Sequence, residues 1–181
     1  MTLSGWHTEW ANVFEQERGR MLTVLGNLAL SIEHVGSTAI PGVPAKPILD
    51  IVVGVDNFES ATACIEPLQL IGYHYRGEYG VARRHYFVKG EPRTHHLHML
   101  ELDSEQWRLL ISFRDLLRAD PALAASYAET KRVLADQFAH QRQAYQQAKD
   151  EWIEGLLREL KLEDPHRTPA ARRASTGDRV K

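Results

Sequence analysis

The sequence predicts an α/β (α+β) domain, and three observations support this prediction. An amphipathic first segment precedes a nearly continuous apolar run at residues 48–53. Short strand-like segments follow that run, and the last third of the chain returns to helical spacing. The chain has 181 residues, of which 43% are hydrophobic and 25% are charged. This composition is typical of a globular protein, and the length suits one domain.

The first element predicted is a helix over residues 8–28, with charged residues between its apolar positions. Its apolar residues recur at helical spacing and include Trp10, Phe14, Met21 and Leu25. Gly26 and Asn27 are typical of a helix end. Residues 31–35 then predict a short strand that leads into a glycine- and proline-rich loop over residues 36–47.

The central strand is predicted at residues 48–53, because this run is β-branched and almost entirely apolar. Asp50 is the one carboxylate within it. Residues 57–70 predict a helix that ends at Gly72. After this helix we expect an antiparallel extension of the sheet, made of short strands at residues 73–75, 83–88 and 95–100.

Three helices are predicted to close the domain, since apolar stripes recur at helical spacing from Trp107 to Leu160. Asp120 and Pro121 mark the first helix boundary in this region, because aspartate caps a helix and proline fits its first turn. Residues 163–181 have almost no large apolar side chains and predict a disordered tail. We therefore expect one folded domain over residues 1–162.

Charge and cysteine content limit the classes of function. The formal net charge of -2 favours neither wrapping of an extended nucleic acid nor binding to an anionic membrane. The single cysteine, Cys64, excludes an internal disulfide and a CxxC zinc pattern. No targeting signal or membrane-spanning run is found in the sequence, and we expect a cytoplasmic protein.

The first candidate site combines a glycine-containing turn with the acid of the central strand. Backbone N–H groups of Gly36, Ser37 and Thr38 would face a phosphate, while Asp50 on the following strand would hold a cation against the same phosphate. An ionised carboxylate among apolar residues is costly unless it is paired, so we expect Asp50 to have a partner. The alternative is a connecting loop and an Asp50 that only bonds a neighbouring backbone group.

The second candidate is a pair of histidines on one strand. His96 and His98 are two residues apart, so strand alternation places both rings on one face. Such a pair would bind a metal, transfer a proton or donate a hydrogen bond to phosphate. The alternative is that each is an ordinary surface or internally bonded histidine.

The third candidate is a set of cations within the apolar stripes of the closing helices. Arg114, Lys131 and Lys149 each lie four residues after one apolar stripe residue and three before the next. If the helices pack side by side, these cations would converge on a triphosphate or another polyanion. The alternative is that each lays its stem on apolar surface and extends its charge into water. The predicted phosphate-binding set is completed by Lys46, Arg84 and Tyr145.

Four separated motifs occur along the chain: Glu33 to Gly42, Ala45 to Ile51, the His96-Leu97-His98 strand, and Phe113 to Arg118. Together they resemble the GrpB family, over roughly residues 6–160. That family is similar to the nucleotidyltransferase superfamily of DNA polymerase β, whose pattern is Gly-Ser followed by a strand with Asp-x-Asp/Glu. The resemblance implies a nucleotidyltransferase-like mixed sheet, with an N-terminal helix and a C-terminal helical bundle packed on it. GrpB-like domains fused to dephospho-CoA kinase suggest a role in coenzyme A or nucleotide metabolism.

The chain departs from the superfamily pattern at one position. Val52 occupies the place of the second carboxylate, so a two-metal site is incomplete. We expect Asp50 with His98 to hold a divalent metal, Mg²⁺ or Mn²⁺, and His96 to take part with them in catalysis.

Two hypotheses about function follow. In the first, the protein binds a nucleotide or another phosphorylated small molecule and transfers a nucleotidyl group to a small molecule. The second is a non-catalytic module that binds a nucleotide or a coenzyme A-related ligand. A pure protein-interaction domain would leave the cations in the apolar stripes unexplained.

Overall fold

The computed structural model describes residues 3–159 of the chain, except for the side chain of Arg142. The predicted tail at residues 163–181 lies outside the described residues. Five α-helices and five strands are present in this region, and they confirm the predicted α+β class. The helices are α1 (Glu9–Leu25), α2 (Ile65–Leu70), α3 (Glu105–Ala119), α4 (Pro121–Gln137) and α5 (Arg142–Glu159). The strands are β1 (Ser31–Val35), β2 (Leu49–Val55), β3 (Tyr73–Tyr75), β4 (His85–Lys89) and β5 (His95–Glu101).

The strands form one mixed sheet in the order β1-β2-β5-β4-β3. Strands β2 and β5 are parallel, and the other three pairings are antiparallel. The register places Asp50 of β2 beside His96 of β5. It also places His98 beside Tyr86 of β4. Four residues with polar side chains therefore lie together on three adjacent central strands.

One face of the sheet is apolar and is covered by α1 and α2. The apolar positions of β2, β4 and β5 alternate toward this face, as the strand period of two requires. The fully buried side chains here include Met21, Ile51, Leu68, Phe87 and Leu97. This face forms the larger core and leaves the opposite face for α3 and the site.

The opposite face is only partly covered by apolar side chains. Trp107 of α3 packs over Val35, Val52 and Leu100. A second cluster joins the closing helices to the loop after β1, through Ile40, Val43, Leu117 and Tyr127. Asp50, His96 and His98 lie on this face, and each remains partly exposed.

Three element boundaries differ from the predictions for local reasons. The helix predicted over residues 57–70 is divided into a 3₁₀ turn, Ser60–Cys64, and the short α2, after a turn in which Ser60 N donates to Asn57 Oδ1 (2.8 Å). The first helix ends at Leu25, because Gly26 has a φ of 52°. Strand β4 begins at His85, since Arg83 has a φ of 59°.

Among residues 3–159, no helix is both long enough and apolar enough to cross a membrane.

Candidate functional site

Asp50 and His96 form a hydrogen-bonded pair on the partly covered face. Asp50 is the second residue of β2, and its Oδ1 lies 3.0 Å from His96 Nδ1. The side chain of Asp50 is 32% exposed and that of His96 is 18% exposed. The parallel register of β2 and β5 explains this contact, because it sets the two residues side by side on one face. Asp50 therefore has the partner that its apolar strand requires.

The charge state of Asp50 determines which nitrogen of His96 carries the proton in their hydrogen bond. Burial opposes ionisation of Asp50, but the hydrogen bond and charge of His96, with His98 and Lys149, outweigh it and lower the pKa of Asp50. An ionised carboxylate only accepts, so Nδ1 of His96 carries the proton and donates it. His96 Nε2 is buried and has no hydrogen-bond partner among the described residues.

The loop backbone at Gly36 lies against the Asp50 carboxylate. Gly36 has a φ of 69°, a conformation that favours glycine. A Cβ at this position would overlap Asp50 Oδ2 and lie 2.9 Å from Asp50 Cβ. Glycine is therefore required here by both the backbone conformation and the space that Asp50 occupies.

Ser37 and Lys131 join this loop to helix α4. Lys131 Nζ donates to Ser37 Oγ (2.7 Å) and to the carbonyl oxygen of Pro44. It also lies 5.5 Å from the centre of the Tyr127 ring. The residue is 3% exposed. Burial, together with the charges of Lys149 and Lys46, lowers the pKa of Lys131 to about 7.

Lys46, Tyr145 and Lys149 lie around Lys131. Lys46 Nζ is 6.0 Å from the centre of the Tyr145 ring. Lys149 of α5 is paired with Asp150, with 3.4 Å between Nζ and Oδ1. Lys149 is also close enough to lower the pKa of both Asp50 and Lys131. The loop, α4 and α5 thus concentrate three lysines beside Asp50, and we call Lys46, Lys131 and Lys149 the lysine cluster.

His98 is held in one tautomer by Arg84. Arg84 Nη1 lies 3.3 Å from His98 Nδ1, and a guanidinium only donates. Burial outweighs the charge of Asp50 and lowers the pKa of His98 to about 4. His98 is therefore neutral at pH 7, with the proton on Nε2, and it presents a hydrogen-bond donor rather than a metal ligand in this tautomer.

Like Arg84, the predicted phosphate-binding residues Arg114 and Thr38 make contacts within the protein. Arg114 Nη1 donates to Glu33 Oε2 (2.7 Å) and to the carbonyl oxygen of His34 (3.0 Å), and Nε donates to Asp115 Oδ1 (2.8 Å). Thr38 is 2% exposed, and its hydroxyl lies 2.8 Å from Nε2 of His34. Arg114 and Thr38 fix the loop after β1, whereas the lysine cluster, Ser37 and Asp50 lie together.

The residues on this face do not match a two-metal arrangement. Val52, at the position of the second carboxylate, is fully buried under Trp107. Within residues 3–159, no three or more His, Cys, Asp or Glu side chains form a group suited to a metal ion. A divalent metal held by Asp50 and His98 stays a prediction, and no step below depends on it.

Two tyrosines that were not among the predicted site residues, Tyr86 and Tyr127, contribute to the site. Tyr127 OH lies 3.5 Å from Ser37 Oγ. Tyr86 lies beside both histidines, with ring centroids 5.3 Å from His98 and 5.8 Å from His96. Tyr127 could have been predicted from the sequence, because it is four residues from Lys131 and this spacing places both on one side of α4.

Comparisons with known proteins agree with this architecture. The family model described as "GrpB protein" matches residues 1–159. The crystal structure of the conserved protein GrpB from Enterococcus faecalis superposes with a TM-score of 0.80 at 34% identity. The match covers 87% of this chain and 96% of that one.

Two curated relatives are longer than this chain. UPF0157 protein YqkA of Bacillus subtilis is 41% identical over 149 residues, which are 82% of this chain and 43% of that protein. A dephospho-CoA kinase of Mycolicibacterium paratuberculosis is 28% identical over 178 residues, covering 83% of this chain and 43% of the kinase. The chain therefore spans less than half the length of either relative.

Proposed function

The chain belongs to the GrpB family, and we propose that it binds the phosphate groups of a nucleotide or a related phosphorylated small molecule at the lysine cluster. Asp50, His96 and His98 then lie beside the bound phosphates. The distant similarity to dephospho-CoA kinases supports coenzyme A-related compounds as candidate ligands.

The observation that supports this proposal best is the environment of Lys131. Among the described residues, its ammonium donates to two neutral acceptors, the Ser37 hydroxyl and the Pro44 carbonyl. A buried ammonium beside two other cations is costly unless an anion neutralises it. Asp50 supplies one negative charge nearby. A bound polyphosphate would supply several more and would relieve the repulsion among the three lysines.

The remaining polar groups suit the same ligand. Ser37 Oγ lies between Lys131 Nζ and Tyr127 OH, so a phosphate oxygen at this hydroxyl would meet several donors. His98, with its proton on Nε2, adds a neutral donor. We assign Ser37 and the lysine cluster to phosphate binding and His98 to a supporting hydrogen bond.

For a catalytic form of the protein, the reaction is in-line nucleotidyl transfer. The acceptor oxygen attacks the α-phosphorus, the bond from that phosphorus to its bridging oxygen breaks, and pyrophosphate leaves with the bond's electron pair. Asp50 receives the proton of the acceptor hydroxyl, and His96 positions the carboxylate through the Oδ1–Nδ1 hydrogen bond. The lysine cluster stabilises the charge on the leaving group.

A second function, ligand binding without turnover, is favoured by one specific observation. Val52 is buried at the position where the superfamily has its second carboxylate, so the usual two-metal chemistry lacks a ligand. In this case the same face binds a nucleotide or a coenzyme A-related molecule and releases it unchanged.

Calorimetric titration with ATP, CTP, GTP, UTP, coenzyme A and inorganic tripolyphosphate, with and without Mg²⁺ or Mn²⁺, tests binding. We expect Lys131→Met and Lys149→Ala to weaken binding by about tenfold or more, as loss of a charged hydrogen bond does. Arg132→Ala is the matched control, because Arg132 is next to Lys131 on α4 but is exposed and paired with Glu129. Binding that is absent in the wild type, or that the lysine variants leave unchanged, would refute the proposal.

Release of pyrophosphate separates the two functions. The wild type and Asp50→Asn are incubated with each nucleotide and a mixture of small-molecule acceptors, and pyrophosphate is measured by an enzyme-coupled assay. Release that Asp50→Asn abolishes supports transfer. Binding without release in any mixture supports the non-catalytic module.

A further inference from the structure

The loop between β3 and β4 carries an exposed aromatic ring next to the site. Tyr79 is 62% exposed, and its ring stacks on Tyr86 with centroids 4.9 Å apart and planes 21° apart. Tyr86 in turn contacts the rings of His96 and His98. Tyr79 is therefore the solvent-facing end of a row of rings that starts beside Asp50.

Tyr79 is held in this position at a conformational cost. Its φ is 50°, a left-handed conformation that is unfavourable for a bulky residue. Arg84 Nη2 donates to the carbonyl oxygen of Tyr79 (2.9 Å), and Arg84 Nε donates to that of Glu78 (3.3 Å). The same Arg84 bonds His98. The loop and the histidine are thus fixed by one side chain.

The position of this ring relative to the lysine cluster sets the shape of the ligand. Asp50 lies on β2, and the lysine cluster comes from the loop before β2 and from α4 and α5. Tyr86 lies on β4, two strands away from β2 across β5. Two strand spacings are about 10 Å. A ligand with phosphate at one end and a flat ring at the other would cover this face from Lys131 to Tyr79.

We propose that Tyr79 is a specificity-determining residue, whose exposed ring stacks on the nucleobase of a nucleotide bound through its phosphates at the lysine cluster. This inference rests on the proposed function, because it requires phosphates at that cluster. It adds the recognition of a planar ring, which separates nucleotides from other phosphorylated compounds. Base stacking on an aromatic side chain tolerates different bases, since every base has a π-face.

Two probes, ATP and inorganic tripolyphosphate, test the inference by calorimetric titration of three proteins. The proteins are the wild type, Tyr79→Asn and Tyr79→Phe. Asparagine tolerates the left-handed conformation, so Tyr79→Asn removes the ring without adding backbone strain. Tyr79→Phe keeps the ring and is the matched control. Unfolding free energies measured in urea check that each variant is folded.

We expect Tyr79→Asn to weaken ATP binding by about tenfold and to leave tripolyphosphate binding unchanged, while Tyr79→Phe retains wild-type affinity for both. Equal effects of Tyr79→Asn on the two probes, or no effect on ATP, would overturn the role of Tyr79 and leave the lysine cluster as the phosphate site. If the wild type binds neither probe, the proposed function fails and this inference fails with it.

Discussion

At the scale of single residues, Gly36 is where the loop and the strand carboxylate come closest. Gly36→Ala imposes a left-handed φ on a residue with a Cβ, at a cost of about 1–2 kcal/mol, and adds an overlap with Asp50. Gly42→Ala is the matched control, because Gly42 has a φ of 81° and a Cβ there would meet no heavy atom within 4 Å beyond the adjacent residues.

In urea unfolding, we expect Gly36→Ala to lose clearly more stability than Gly42→Ala. The difference between the two losses of unfolding free energy measures the cost of the overlap between the added Cβ and Asp50. Equal losses in the two variants would show that this contact adds nothing beyond the backbone conformation.

Lys131 gives a pH dependence of opposite sign to that of a lysine whose pKa is raised by an ion pair. Its folded-state pKa is lowered from 10.5 to about 7, so between these values the unfolded state binds a proton that the folded state does not. Stability therefore rises with pH across this window. The Lys131→Met variant has no ammonium group at this position, so its stability should not show this rise with pH.

Urea unfolding of the wild type and Lys131→Met, at several pH values between about 7 and 10, checks this expectation. The difference in unfolding free energy should move in favour of the wild type as pH rises, by at most about 1.4 kcal/mol per pH unit. A constant difference would mean that Lys131 remains charged in the folded protein throughout.

The sequence predicted some contacts of the individual site residues and missed others. The cost of an ionised carboxylate in an apolar strand predicted that Asp50 has a partner, and His96 is that partner. The prediction that His98 joins Asp50 at a metal remains untested. The His98–Arg84 contact could not be foreseen, because it depends on the backbone turn that precedes β4.

At the scale of elements, the start of α4 is fixed by Asp120. Its Oδ1 accepts from the backbone N–H groups of Ala122 and Leu123, each at 3.0 Å, and Pro121 occupies the first turn. Asp120→Ala should cost about 1 kcal/mol of unfolding free energy. Asp120→Asn keeps an acceptor and is the control. A loss of the same size in both variants would assign the effect to charge rather than to the cap.

Helices and strands could be predicted where a pattern of neighbouring residues specifies them. Helical spacing and the Asp120-Pro121 boundary predicted the three closing helices. A β-branched run predicted β2, and short runs separated by glycine and proline predicted β3, β4 and β5. The helix expected over residues 57–70 was too long, because the apolar spacing there also fits a 3₁₀ turn followed by a short helix. The parallel pairing of β2 with β5 was not predicted, since local patterns do not specify which strands pair.

At the scale of the whole molecule, a buried ion pair connects α1 to the sheet. Lys89 Nζ of β4 lies 2.6 Å from Glu17 Oε1, and Glu17 is 2% exposed. Burial opposes the charge of Glu17, but the hydrogen bond and charge of Lys89 outweigh it and lower the pKa of Glu17. In the sequence, Glu17 was one of the charged residues between the apolar positions of the first helix.

Lys89→Met should destabilise the protein by about 3–5 kcal/mol, because it leaves a buried carboxylate without its main partner. The double variant Glu17→Gln/Lys89→Met should recover part of that loss. Urea unfolding of both single variants and the double variant gives the coupling energy. Additive effects of the two substitutions would contradict a coupled pair.

The sequence by itself determined the family, the α+β class and the residue types at the site, because apolar spacing, turn residues and short motifs are local properties. The tertiary structure decided which of those residues meet. The sheet register paired Asp50 with His96, and the packing of α4 and α5 brought Lys131 to Ser37 and Lys149 close to Asp50 and Lys131. Packing also directed Arg114 to Glu33. Such contacts depend on strand pairing and helix docking over long sequence separations, and no local pattern encodes them.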